Sequence, residues 1–367
     1  MATAVAPALP APSAPLEHDW TANRQIRWYR SPIPMAQLRA LSQRGNLRPL
    51  LHVLGFIALL TATGAVVVLT HRHLSWPWLI PALFLHGTVF RTLQHSRHEL
   101  SHRTVFRSRF LNELFLRLFS FLQWSSPDFF RASHVRHHQY TVHDELDREV
   151  QLPRPFRPLQ WLFRFVAAVP NCVAEIRLLL RWSFGRLAGD RRQGEGGGVT
   201  WEQHCFADRP VGQGNAAKRR ALFGWARIVL LGHLALAVAF IASGAWIMLL
   251  VVTFARYLAP WLSYLFVETQ HAGLPANTPD HRVCCRTVLL GPVTRFLYWH
   301  MNFHIEHHMF PSVPFYNLRR LRAAIATDLP PAPRGLVRAW AQMLPVLWRQ
   351  RRDAGCAMTP PLPARST

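Results

Sequence analysis

Four long apolar runs limit what this chain can fold into. They extend from about Pro49 to Thr70, Trp76 to Leu93, Ala221 to Ser243 and Ala245 to Val267. Each approaches the ~20 residues that a helix needs to cross a ~30 Å hydrocarbon core. The plainer alternative, helices buried in a soluble core, accounts poorly for four runs of this length. The expected architecture is therefore all-α: an integral membrane bundle of about four transmembrane helices, with interfacial helices and a cytoplasmic helical cap.

Charge sets the expected orientation. Half of the 367 residues are hydrophobic, yet the formal net charge is +23, almost all of it arginine. The arginines flank the apolar runs and do not form a separate basic tract, which argues against nucleic-acid binding and for the positive-inside rule. Arg24, Arg27, Arg30, Arg39, Arg44 and Arg48 precede the first run, and the long loops are equally basic. The links after the first and third runs are short, with Arg72 the one firm charge in the former and none around Ser243 and Gly244. Both termini and the central loop then lie in the cytoplasm, and two tight hairpins reach the far side. The heavy use of arginine over lysine suggests a bacterial inner membrane.

Between the runs, Phe110 to Trp124 and Phe156 to Trp182 mix Leu, Phe and Trp with Arg, as interfacial helices do. Gly189 to Val199 reads as a flexible loop, Met1 to about Pro15 as a disordered lead-in, and Leu336 to Arg349 as a surface helix before a loose tail. Three regions result: an N-terminal arm and interfacial segment (1–48), a membrane domain (49–322), and a C-terminal surface helix and tail (323–367). Cys172, Cys205, Cys284, Cys285 and Cys356 contain no Cys-x-x-Cys pair, so neither a zinc ribbon nor a disulfide scaffold is indicated.

Three histidine clusters carry the chemistry. His98 and His102 are four apart; His134, His137 and His138 follow the i, i+3, i+4 spacing, and His304, His307 and His308 repeat it. On helices each set projects from one face. The parity of the four spans brings all three to the cytoplasmic side. Imidazole suits iron, zinc and copper. Eight such ligands exceed what hydrolytic zinc requires and suffice for two metal ions. Zinc cannot change valence, so a redox pair of iron ions fits best. His98, Glu99 and His102 also satisfy His-Glu-x-x-His, the zinc-protease signature, but that reading leaves the other two clusters without a purpose.

Residue for residue, this pattern resembles the membrane-bound fatty acid desaturase and hydroxylase superfamily of histidine-box di-iron enzymes, over roughly Pro49 to Arg322. The sharpest part is Trp299 to Pro311, which looks like the third box and its Phe-Pro ending. Glu268, Thr269, Gln270 and His271 match the place where such enzymes supply a further histidine. The resemblance implies nine metal ligands: His98, His102, His134, His137, His138, His271, His304, His307 and His308. His95 and His300 are expected behind them as hydrogen-bond partners, with Glu99, Asn302 and Glu306 orienting imidazole N–H groups. His71, His73, His204 and His233 look uninvolved. The implied cofactors are two iron ions with O₂ as co-substrate. The implied reaction introduces a C=C bond into the acyl chain of an acyl-lipid, acyl-CoA or acyl-carrier-protein substrate. Electrons would come from a soluble donor, ferredoxin or a small haem protein with its reductase. A hydroxylase acting on a lipid, alkane, carotenoid or small metabolite is the alternative within the superfamily.

Overall fold

The computed structural model describes residues 25–144, 146–153, 165–188, 201–206 and 216–364. Among these the protein is all-helical; isolated bridges form, but no strand. The expected lead-in, the loop from Gly189 to Val199, and the first part of the stretch from Phe156 lie outside the described residues.

A short α1 (Met35–Leu41) precedes α2 (Leu47–His73) and α3 (Trp76–Thr92). On α2, Val53, Phe56, Thr63, Val67 and Thr70 are buried at steps of three, four or seven, forming one helical stripe. Leu47, Leu51, Leu54, Val66 and Leu69 remain exposed on its other sides. On α3, Ala82, His86, Val89 and Phe90 face inward while Trp76, Trp78, Ile80, Phe84 and Leu85 face out. Leu74 is extended and Pro77 opens the next helix, which accounts for the sharp hairpin between α2 and α3. α2 and α9 (Ala216–Ala242), each of 27 residues, are long and apolar enough to cross a membrane. Each spans about 40 Å.

The fourth apolar run does not form one helix. It is a π-helical turn (Leu249–Thr253), a 3₁₀ turn (Ala255–Tyr257) and a short α10 (Trp261–Glu268). Pro260 lacks an N–H and disfavours a helical residue before it, and Ala259 takes φ +41°. The freed backbone groups are satisfied within the protein: the Ala168 N–H donates to Tyr257 O at 2.8 Å and the Ala259 N–H to Val166 O at 2.8 Å. Irregular backbone is tolerated in a protein interior when its polar groups are paired in this way. His86 ties the break to the hairpin, with Nδ1 2.9 Å from Thr63 Oγ1 and Nε2 2.9 Å from Val251 O.

The helices that carry the site lie between and after these elements. α4 (Gln94–Ser101) follows α3 directly. α5 (Arg109–Leu122) buries Asn112, Phe115, Leu116 and Phe119 and exposes Phe110, Leu114 and Leu118, the two-sided pattern expected of it. α6 (Pro127–Tyr140) starts with Ser126 Oγ accepting from the Phe129 N–H and with Pro127 in its first turn. α7 (Val169–Ser183), α8 (Trp201–Phe206), α11 (His281–Cys284), α12 (Pro292–Leu297), α13 (His304–Met309), α14 (Leu318–Ala324) and α15 (Leu336–Arg349) complete the order. The main core, including Phe56, Leu93, Leu100, Phe106, Phe266, Trp299 and Leu318, packs around α4 and α13. α15 has the bounds read from the sequence. Its inner face (Ala339, Trp340, Met343, Leu347) is buried, and the Trp340 Nε1–H donates to Leu265 O at 3.1 Å. All five cysteines are free thiols.

Candidate metal centre

Each histidine cluster is helical, as its spacing predicts. His98 lies in α4 and His102 caps its end, where Arg103 takes φ +58° and stops the helix. His134, His137 and His138 lie on α6, and His304, His307 and His308 on α13; His271 follows α10.

These nine side chains form two groups. His98, His102, His134, His138 and His307 form one; His137, His271, His304 and His308 form the other. Within each group the candidate ligand atoms all lie within 4.8 Å of one another. The helical i, i+4 pairs (98 with 102, 134 with 138, 304 with 308) each stay within one group. The adjacent residues 137/138 and 307/308 part company, so α6 and α13 serve both groups.

The nitrogen atoms fit a cation better than each other. In the first group His98 Nε2 is 2.8 Å from His307 Nε2, and His134 Nε2 is 3.1 Å from the Nε2 atoms of His98, His102 and His138. In the second, His304 Nε2 is 2.9 Å from His271 Nε2. Two imidazoles bound at right angles to an ion at about 2.0–2.1 Å would stand about 2.9 Å apart. The opposite ring nitrogens fix the tautomers. His134 Nδ1 is 2.8 Å from Glu149 Oε1, His137 Nδ1 2.7 Å from Asp147 Oδ2, and His271 Nδ1 2.9 Å from Cys284 O. Each of these oxygens can only accept, so Nδ1 carries the proton and Nε2 presents a lone pair. Thr141 Oγ1 donates to His137 O and accepts at 3.1 Å from His308 Nδ1, leaving His308 Nε2 buried without a partner. Burial, followed by repulsion from neighbouring imidazoles, holds His98, His102, His138, His304, His307 and His308 well below the usual histidine range. Neutral lone pairs aimed at one another in a dry site are a metal-binding arrangement.

The residues expected behind the ligands divide. Glu99 is closest to the expectation: its Oε1 is 3.8 Å from His307 Nδ1, beyond hydrogen-bond length, and burial pushes its carboxyl up to about 8. His95 turns away to Ser263 Oγ at 3.2 Å and to the Tyr298 ring. His300 lies among His52 and Phe315. The side-chain hydrogen bonds of Glu306 and Asn302 go elsewhere than to the imidazoles and hold α13 in place instead. Glu306 accepts from Thr287 Oγ1 at 2.5 Å and from Arg322 Nη1 at 2.6 Å, and Asn302 Nδ2 donates to Val288 O at 2.8 Å. His233, expected to be uninvolved, stacks between Phe121 and Trp124 and bonds Phe121 O at 3.0 Å.

Sequence reasoning missed the partners that do orient the ligands: Asp147, Glu149, Thr141 and the Cys284 carbonyl. It also missed the cover over the second group. His281 lies 5.3 Å from His308, ring centre to ring centre, and Trp28 of the N-terminal arm stacks flat on His281 at 4.0 Å. The arm is pinned there by Tyr29 N–H to Pro279 O and by Ser31 Oγ to Asp328. Outside the histidines, a cavity of about 510 Å³ opens on the outer side of α6, lined by Arg103, Arg131, Arg136, Lys218, Val135 and Phe206 among others.

The protease reading of His98, Glu99 and His102 fails on this geometry, because both histidines join a five-imidazole group with His134, His138 and His307. Comparison with known proteins points the same way. The fatty acid desaturase family model matches residues 78–340. A sn-1 oleoyl-lipid 12-desaturase from Picosynechococcus sp. (strain ATCC 27264 / PCC 7002 / PR-6) is 26% identical over 274 residues, covering 68% of this chain and 70% of that protein. A Delta(12) acyl-lipid conjugase (11E,13E-forming) from Momordica charantia is 24% identical over 303 residues, covering 75% of this chain and 71% of that protein. The matched region covers most of the sequence, and this chain belongs to the fatty acid desaturase family, whose members are oxidoreductases.

Proposed function

We propose that the protein is an O₂-dependent di-iron acyl-lipid desaturase, with His98, His102, His134, His138 and His307 holding one iron and His137, His271, His304 and His308 the other. The observation that carries this reading is the convergence of nine imidazoles into two lone-pair clusters. When bound, the two irons supply the oxidising power to remove hydrogen from an unactivated C–H bond. The balanced reaction takes O₂, two electrons and two protons, converts –CH₂–CH₂– into –CH=CH–, and releases two waters.

The remaining roles belong to the chain. Asp147 and Glu149 fix the tautomers of His137 and His134. Trp28 and His281 close the second group against water. The outward faces of α2, α3 and α9, with Leu51, Leu69, Trp78, Ile80, Ile228, Leu231 and Val238 exposed, suit contact with lipid tails. This supports a multi-pass membrane protein in which the broken fourth run serves as the last membrane-embedded segment, with the site and both termini at the cytoplasmic side. An acyl chain gains about 0.8 kcal/mol per CH₂ on leaving water, so the membrane delivers the substrate. The cationic cavity beside Arg103, one residue from His102, suits an acidic soluble electron donor.

The test is expression in a host of defined lipid profile, with His138→Ala as the control. New unsaturated acyl chains two mass units lighter than their precursors support the proposal. A gain of sixteen mass units would identify a hydroxylase.

A further inference from the structure

α3 meets the 3₁₀ turn at Ala255–Tyr257 very closely, since a Cβ on Gly87 would lie 2.5 Å from Leu258 Cβ and 2.7 Å from its carbonyl oxygen. Arg91 lies one helical turn beyond Gly87 on the same face, and Arg256 lies in the turn itself. The two arginines therefore share one seam, where the residues are 9% and 5% exposed. Arg97 of α4, half-buried, stands close enough for its charge to act on both. Its guanidinium lies 4.2 Å over the Phe130 ring, which stacks on His134 at 5.1 Å, so the seam adjoins the first imidazole group.

Among the described residues the seam is short of negative charge. Glu175 of α7 accepts from Arg256 Nη2 at 2.8 Å and from the Tyr257 hydroxyl at 2.7 Å. Glu149, the other acid acting on Arg97, is already engaged by His134 and Ser133. Nε and Nη1 of Arg91, Nε and Nη1 of Arg256, and Nε of Arg97 are buried with no hydrogen-bond acceptor among the described residues. Buried unpaired cations and unsatisfied N–H groups are both strongly unfavourable. Guanidinium forks match the paired oxygens of a phosphate or carboxylate.

We infer that the Arg91–Arg97–Arg256 seam binds an oxyanion, and that this anion is the head of an acyl lipid whose tail lies along α3. Phe84 and Leu85, exposed within two turns of Arg91, offer the tail an apolar surface. The lipid half of this assignment rests on the acyl-lipid reading above. Binding is measured without turnover, so the two can fail separately.

The test uses the full chain in neutral-detergent micelles and follows the thermal unfolding midpoint. Dioleoyl phosphatidic acid, dioleoylglycerol and inorganic phosphate are added in turn. Phosphatidic acid is expected to raise the midpoint by about 5 °C at a hundredfold excess over its Kd, and dioleoylglycerol to leave it unchanged. Arg91→Gln, which leaves the Arg256–Glu175 pair intact, should abolish the rise and melt no lower than the unsubstituted chain when no anion is added. Arg97→Gln should reduce the rise. An equal rise with inorganic phosphate alone would overturn the lipid assignment. A rise undiminished in both variants, no rise with any anion, or a large drop in the anion-free midpoint of Arg91→Gln would overturn the site itself.

Discussion

His137 donates from Nδ1 to Asp147 Oδ2 at 2.7 Å, and the same carboxylate accepts from the Val142 N–H at 2.8 Å through Oδ2 and from the Glu149 N–H at 3.0 Å through Oδ1. One fully buried acid thus sets the tautomer of a candidate ligand and folds the loop that brings Glu149 to His134. Asp147→Asn should lower iron affinity by about 10–100-fold, the usual effect of removing a carboxylate behind a ligating histidine. Iron titration with a competing chelator measures it. Unchanged affinity would show that Asp147 is structural only.

Glu149→Gln separates the two groups. Its carboxylate accepts from His134 Nδ1 in the first group and from Ser133 Oγ. Iron should become labile at one position of two, so chelation kinetics should change from slow throughout to one fast and one slow phase of equal size.

The seam of α3 with the broken segment admits no side chain at residue 87. Gly87→Val places branched carbon against the Leu258 backbone and should destabilise the protein by at least about 1–3 kcal/mol, the usual cost of overpacking. Thermal unfolding in detergent measures it. A midpoint equal to that of the unsubstituted chain would contradict the close approach.

His86→Ala removes an imidazole bonded at both nitrogens and leaves Val251 O without its partner. A loss of about 1–3 kcal/mol is expected, with iron content per folded chain unchanged, because His86 belongs to neither group. Parallel metal analysis and melting separate this from a ligand substitution.

Much of the site was legible because helical periodicity is a local rule. A three- or four-residue spacing places imidazoles on one face wherever a helix forms, and α6 and α13 obey it. His271 needed family resemblance, since a lone histidine after an apolar run carries no spacing of its own. Hydropathy alone predicts one helix for the fourth run because it counts side chains and not backbone hydrogen bonds; Pro260 is the signal of the break. Asp147 and Glu149 could have been suspected, since acids are scarce in a chain with 42 basic residues and 19 acidic ones, and these two closely follow the second cluster. Trp28 on His281 joins positions far apart in sequence, and nothing local announces such a contact. Glu306 and Asn302 show the converse: proximity to ligands in the chain put them near the site, but Thr287 and Arg322 claim the Glu306 carboxylate and Val288 O the Asn302 Nδ2.

The central claim, that nine imidazoles form two iron sites of five and four ligands, is tested most directly by Mössbauer spectroscopy of the purified chain loaded anaerobically with ⁵⁷Fe(II). Two irons per chain in two distinct ferrous signals of equal area are expected, with His304→Ala altering one signal and leaving the other. A single iron per chain, or a preference for one zinc ion under competition, would contradict the account.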